Sequence, residues 1–401
     1  MASMSSPGNR CTLEPSGRIL LGPGPSMVHP RVYEALSKKL DGHLDPEFLA
    51  IMNQTQEMLR QVFGTRNRLT ISVSGTGSAG MEAALVNTVE PGDEVLVCVN
   101  GVFGNRMSDI VERIGGTLRR IDRPWGEVFA LEEIAAALDR YPQVRVVSIV
   151  NAETSTGAHQ PIVELGKLCR DRDKLLIVDA VTSLGGAEVR VDDWCIDVCY
   201  SGTQKCLSCP PGLAPITFSE RALAKLRGRK AKVASWYFDM SMIESYWTEG
   251  KRAYHHTAPI SMNYALHQAL AVTLEEGLDA RFERHRRNSR ALVSGLEALG
   301  FRLFAQDGHR LPMLIAVWIP EGVDDAATRR ALLEHYNIEI GGGLGQVAGK
   351  IWRIGLMGES CKIENVNALL TAIETILYNG GIRTRIGAGL EAAAKVFAAT
   401  S

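Results

Sequence analysis

Charge of one sign is what this chain most plainly lacks. Its 44 lysines and arginines face 45 acidic residues, for a net charge of −1 at pH 7. No basic field is therefore available to attract a nucleic acid or an anionic membrane surface. Long apolar runs are missing as well. Leu175–Val181 is among the longest, whereas a bilayer span needs about 20 such residues. The opening Met1–Asn9 is small and polar with no apolar stretch, which speaks against a secretory signal, and Ala398–Ser401 is no evident peroxisomal address. Paired cysteine motifs are scarce. Of eight cysteines, Cys98, Cys169 and Cys199 lie inside apolar stretches, which reads as reduced, buried thiols in a cytoplasmic protein. Cys206 and Cys209 have CxxC spacing, but no second pair completes a zinc site, so they read as small packing residues and no metal is expected. Repeats, low-complexity blocks and long linkers are absent too.

What is present is a composition ordinary for an enzyme, 45% apolar and 22% charged. A chain of 401 residues predicts a large domain plus a smaller one. Short apolar runs alternate with amphipathic stretches. Val95–Asn100, Arg145–Asn151, Leu175–Val181 and Asp197–Tyr200 read as strands, and Asn105–Ile114 and Pro161–Arg172 as helices between them. That alternation predicts βαβ units and a mainly parallel sheet in an α/β fold. After His256 the pattern changes. One long helical stretch is expected from about Ser261 to Leu299. Beyond it come strands at Met313–Ile319 and Ile351–Ile354 and helices near Ala326–His335 and Glu364–Leu377, a compact α+β unit. The division expected is a tail at 1–19, a large domain at 20–280 and a small α+β domain at 281–401. Residues 20–40 are expected to pack back on the small domain.

Two constellations carry chemistry. Leu176-Ile-Val-Asp179 is an apolar strand ending in a carboxylate, and Ser201-Gly-Thr-Gln-Lys205 follows the next strand, placing the lysine 26 residues after the aspartate. Strand C-terminal ends are where open α/β sheets bind ligands. A carboxylate there can keep a pyridine nitrogen protonated, and an unobstructed lysine can hold pyridoxal phosphate (PLP) as a Schiff base. Alone, Asp179 serves as readily to cap a turn and Lys205 as a solvated side chain; the pair carries the argument. The second constellation, Ser74-Gly-Thr76-Gly77-Ser78, opens a helix at Met81–Thr88. Free N–H groups and the positive helix end there suit a phosphate, although the same turn could merely start a helix.

These motifs, together with Leu20-Leu-Gly-Pro-Gly-Pro25, Asn151-Ala-Glu-Thr154-Ser-Thr-Gly157, Tyr254-His-His-Thr257 and Trp352-Arg353-Ile-Gly, resemble the class V aminotransferases of PLP fold type I. The likeness runs from Leu20 to about residue 380 and is nearest the alanine–glyoxylate branch, with the ureidoglycine–glyoxylate enzymes close by. It implies a seven-stranded-type sheet between helices, and PLP as cofactor. It further implies that Lys205 binds the cofactor and shuttles protons, that Asp179 pairs with the ring nitrogen, and that Val181 lies beside it. Thr76, Gly77, Ser78 and Gln204 would hold the phosphate. Phe103 would stack on the ring, Thr154 would contact its phenolic side and the substrate, and Arg353 would grip the substrate carboxylate. Pro23 and Gly24 would line the mouth of the site. Tyr254 and Thr257 would reach the phosphate in a neighbouring subunit, which implies a homodimer with shared sites.

The substrates implied are small molecules: alanine or serine as donor and glyoxylate as acceptor. The alternative is (S)-ureidoglycine as donor, in purine breakdown. Ureidoglycine enzymes carry an amide in place of Tyr254 and a glutamine in place of His43, which favours the plain amino donor. Desulfuration is disfavoured because the Gly341–Gln346 loop has no cysteine. Reuse of the fold as a non-catalytic binding module is disfavoured by the intact Lys205, Asp179 and Arg353.

Overall fold

The computed structural model describes residues 15–247, 252–382 and 384–399; the tail at 1–14 lies outside them. Its main sheet has seven strands in the spatial order Leu69–Ser74, Leu213–Phe218, Val198–Tyr200, Leu175–Asp179, Val144–Val150, Glu94–Val99 and Thr117–Asp122. Leu213–Phe218 runs antiparallel to both its neighbours; the other pairings are parallel. The central strands are apolar along their length because helices bury both faces, and an extensive apolar core includes Val97, Val146 and Ile177 on one side and Leu96, Val147 and Leu176 on the other. Thr117–Asp122 and Val144–Val150 are successive in the chain yet flank Glu94–Val99 on opposite sides. The crevice at such a reversal, outside the strand C-termini, is where a ligand fits.

The second sheet has four strands, Arg302–Leu303, Leu314–Trp318, Ile351–Gly355 and Gly341–Gly342, all antiparallel. The helices Leu278–Ala298, Asp325–His335, Ile363–Asn379 and Ala388–Ala399 accompany it. A separate core built around the fully buried Trp352 joins these elements.

Three expectations need correction. The long helical stretch is two helices, Ile260–Glu276 and Leu278–Ala298. Gly277 between them has φ +82°, a conformation that ends a helix and that glycine adopts without strain. Residues 20–40 do not pack as one piece on the C-terminal unit. Ile19–Leu20 pairs in parallel with Ile338–Glu339 there, so the strand begins inside what was read as tail. The Pro30–Leu36 helix instead turns Val32 and Ala35 into the cores of the main sheet, with Arg31 paired to Glu275. The glycine-rich turn also enters its helix earlier than expected, at Gly77.

Candidate active site

The C-terminal ends of three parallel strands converge on Asp179. It closes Leu175–Asp179, with Val144–Val150 on one side and Val198–Tyr200 on the other. Its carboxylate is buried and accepts hydrogen bonds from Val181 N–H (2.8 Å) and from the Tyr200 hydroxyl (3.0 Å). Burial pushes it up to about 6 against those bonds. Two donors leave acceptor capacity on the carboxylate for a further N–H.

Lys205 sits in the loop after Val198–Tyr200. Its Nζ donates to the carbonyl of Pro23, while Ser26 Oγ donates to the Lys205 carbonyl at 2.7 Å. Burial lowers the ammonium to about 8, and the cation of Arg353 adds to the effect. Gly24 lies over the lysine at φ +107°, and a Cβ there would come 2.6 Å from Nζ. The missing side chain leaves the lysine its place.

The phosphate-like cradle is the start of the Gly77–Thr88 helix. Thr76 is its N-cap but makes no side-chain capping bond among the described residues; Ala79 N–H turns back to Thr76 O, which leaves the Gly77 and Ser78 N–H groups for an anion. A Cβ on Gly77 would stand 3.2 Å from Val181, so the backbone comes close to the residue beside Asp179. Ser78 Oγ accepts from Arg106 Nη1 at 2.8 Å. Gln204 Oε1 is buried without a partner. Phe103 is half-buried in the first turn of the Val102–Arg113 helix, which starts at the reversal crevice.

Arg353 comes from the other sheet. It is buried, donates from Nε to Gly342 O (2.8 Å), and reaches Thr154 O from Nη1 (3.4 Å). Burial lowers it to about 10, with Glu153 opposing. Thr154 Oγ1 lies 2.6 Å from Thr182 Oγ1. Cys206 and Cys209 are buried, and Cys206 Sγ donates to Thr182 O. No metal-holding group of three His, Cys, Asp or Glu exists among the described residues.

Tyr254, Thr257 and His43 stand apart. Tyr254 is 60% exposed, its hydroxyl is 3.4 Å from Thr257 Oγ1, and its ring packs on His43 at 5.3 Å between centroids. None of the three hydrogen-bonds with Lys205, Asp179 or Arg353 among the described residues.

Four participants escaped the sequence reading. Tyr200 orients Asp179, Thr182 positions Thr154, and Arg106 meets Ser78. Glu153 is fully buried and accepts from Ser155 N (3.1 Å), Ser155 Oγ (2.5 Å) and Phe103 N (3.2 Å), and burial still raises it to about 7. Glu153 lies inside the Asn151–Gly157 motif, so its position was available; its residue type suggested solvent.

A planar pyridine ring with a phosphate suits these groups: a carboxylate with spare acceptor capacity, a lysine, a half-buried aromatic and an uncapped helix start. The class-V aminotransferase family model matches residues 20–363. The chain is a class V aminotransferase. It is 42% identical over 400 residues, 95% of each chain, to the (S)-ureidoglycine–glyoxylate transaminase of Bacillus subtilis, and a crystal structure of such an enzyme from that organism superposes with TM-score 0.94, covering 97% of this chain and 100% of the other. It is 41% identical to the alanine–glyoxylate aminotransferase of Drosophila melanogaster over 92% of this chain and 94% of that one. The crystal structure of an alanine–glyoxylate aminotransferase from Nostoc superposes with TM-score 0.89 at 50% identity, covering 93% and 100%. The cofactor of this aminotransferase is pyridoxal phosphate.

Proposed function

We propose that the enzyme moves the amino group of a small amino acid, alanine or serine, to glyoxylate, giving glycine and a 2-oxo acid. The tight roof over Lys205 carries this reading. Pro23 touches Nζ, Gly24 has no room for a side chain, and Arg353, held by Gly342 O and Thr154 O, keeps further N–H donors for a carboxylate. Such a mouth suits a compact amino acid. The relatives named for alanine–glyoxylate transfer support it. The second reading, (S)-ureidoglycine as donor, is favoured by the Bacillus subtilis relative. Against it, His43 and Tyr254 pair ring to ring and offer no amide to read a ureido group by matched donor and acceptor.

Bound pyridoxal phosphate supplies an electron sink and the carbon that takes the amino group. Lys205 Nζ would hold it, and the same amine would move the proton at the substrate Cα; its lowering to about 8 brings the free base within reach of neutral pH. Asp179 holds the proton at the pyridine nitrogen, and Tyr200 and Val181 N–H keep its carboxylate aimed. Thr76, Gly77, Ser78 and Gln204 bind the phosphate. Phe103 packs on the ring, and Thr154 lines its phenolic side. Arg353 orients the substrate so that its Cα–H faces Nζ.

The same proposal makes the working form a homodimer, with Tyr254 and Thr257 of the partner subunit completing each phosphate site. The exposure of Tyr254, Trp236 (60%) and Tyr237 on one surface supports this. The division near residue 280 between a large and a small domain belongs to this reading too. To test the donor, pure protein is incubated with glyoxylate and each of alanine, serine and (S)-ureidoglycine while glycine is followed. Alanine or serine should give the highest kcat/KM, and a clear preference for ureidoglycine overturns the main reading.

A further inference from the structure

Beside the cradle stands a cation that the chemistry above does not use. Arg106 follows Phe103 by three residues on the Val102–Arg113 helix, so the two share a face. Its guanidinium carbon lies 5.1 Å from the Phe103 ring centroid, a cation–π distance that holds the side chain along the aromatic. From there Nη1 crosses to the neighbouring helix and donates to Ser78 Oγ at 2.8 Å. Ser78 is the second residue of that helix, beside the uncapped Thr76.

The choice of partner is informative. Arg113, further along the same helix, pairs with Asp109. Arg106 makes no ion pair among the described residues; its one hydrogen bond goes to a hydroxyl. A guanidinium has five N–H donors, so most remain to be used on the cradle side. The other groups assigned to the phosphate are neutral: helix N–H groups, two hydroxyls and an amide of this chain, and two hydroxyls proposed from the partner subunit. Lys205 and Arg353 are engaged elsewhere, with Pro23 and with Gly342 and Thr154. Among the described residues, Arg106 is thus a cation without an ion pair that touches this loop. Its charge is also felt at Asp179, where it favours the carboxylate.

We propose that Arg106 is a phosphate-binding residue of the cofactor site, held on the Phe103 ring and sharing the phosphate with Ser78. Arg106 is exposed in the single chain, so solvent screens the interaction and the effect is moderate. The proposal rests on the reading that Thr76–Ser78 and Gln204 hold the phosphate.

The test is equilibrium binding to apoenzyme, followed by tryptophan fluorescence, of PLP and of pyridoxal, which lacks the phosphate. Arg106→Gln should raise the Kd for PLP by about tenfold and leave that for pyridoxal unchanged. Inorganic phosphate alone should stabilise wild-type apoenzyme against heat and stabilise Arg106→Gln distinctly less. Equal changes for both ligands would mean that Arg106 acts only through ring packing, and no change would mean that it does not reach the phosphate; either overturns the proposal. Gln204→Ala separates this failure from failure of the cradle. If Gln204→Ala weakens PLP but not pyridoxal while Arg106→Gln does neither, the cradle stands and Arg106 does not belong to it. If both variants spare PLP, the cradle itself is misplaced. Should Arg106→Gln give no soluble protein, Arg106→Lys carries the test. It keeps the charge without the fork, so PLP should weaken by about threefold with pyridoxal unaffected, and an unchanged PLP Kd overturns the proposal.

Discussion

The site has two halves that differ in how completely one chain builds them. Lys205, Asp179 and Arg353 are buried, and bonds within the chain fix each group. Around Tyr254, Thr257 and His43 the side chains face outward and bond mainly to one another. Burial shifts the titration of the first set far from ordinary values, because charge is costly away from water. The second set has no such environment in a single chain. On the proposed reading the interior half sets up the chemistry, and the outer half serves the partner's site.

Breaking the interior half has the largest consequence. Lys205→Ala should abolish glycine formation, by at least about a thousandfold, because attachment and proton transfer depend on one amine; circular dichroism should show the fold intact. Wild-type turnover in that variant would dissolve the distinction between the halves. Arg353→Lys comes next. It should weaken alanine and glyoxylate binding by about 2 kcal/mol, read as raised KM values, since an ammonium cannot match the fork.

The outer half is sharpened by mixing. Lys205→Ala and Tyr254→Ala chains, combined after verified exchange, should regain part of the activity, because a heterodimer holds one site free of both defects. A mixture that stays inactive shows that each chain completes its own site. Tyr254→Phe alone should weaken PLP retention by about 1 kcal/mol through one lost hydrogen bond, measured as cofactor release on dialysis.

The smallest effect is in pH. Glu153 is raised from 4.5 to about 7 in the folded chain. The folded form therefore binds the extra proton between about pH 4.5 and 7, and its contribution to stability is lost as pH rises through that window. Apoenzyme melting temperatures should show this loss in wild type and a flatter profile in Glu153→Gln. Identical profiles would mean that Glu153 stays ionised throughout.

The sequence revealed the interior half more fully than the outer. Apolar runs marked the strands, and Asp179 and Lys205 declared themselves by following strand ends. Arg106 did not, because a cation three residues after an aromatic means little until strand order sets its helix beside Gly77. Glu153 had no assigned role in its motif, and only the fold reveals its three donors and complete burial. Gly277 went unread as a break because apolar spacing continues on both sides, and only a positive φ interrupts it. The Ala388–Ala399 helix gave little periodic signal. Its position is secured instead by Glu374, whose carboxylate accepts from Gly387 N at 2.8 Å and Gly389 N at 3.4 Å.

The short segment from Ile19 to Ser26 behaves as a tie-rod. At one end it is laced to the C-terminal unit, through the pairing with Ile338–Glu339 and through Gly355 N–H to Leu21 O at 2.8 Å, on the strand that carries Arg353. At the other end Pro23 and Ser26 grip Lys205, and Ser26 N–H also holds Gln204 O at 2.9 Å. Between these two ends the chain bends at Gly22–Gly24. The strand bearing Arg353 and the roof above the lysine are thus joined through one short segment. On the proposed roles, capture of a substrate's acid group by Arg353 and the lysine's freedom to turn toward its Cα are geared together through it, with Gly24 the link that passes over the lysine.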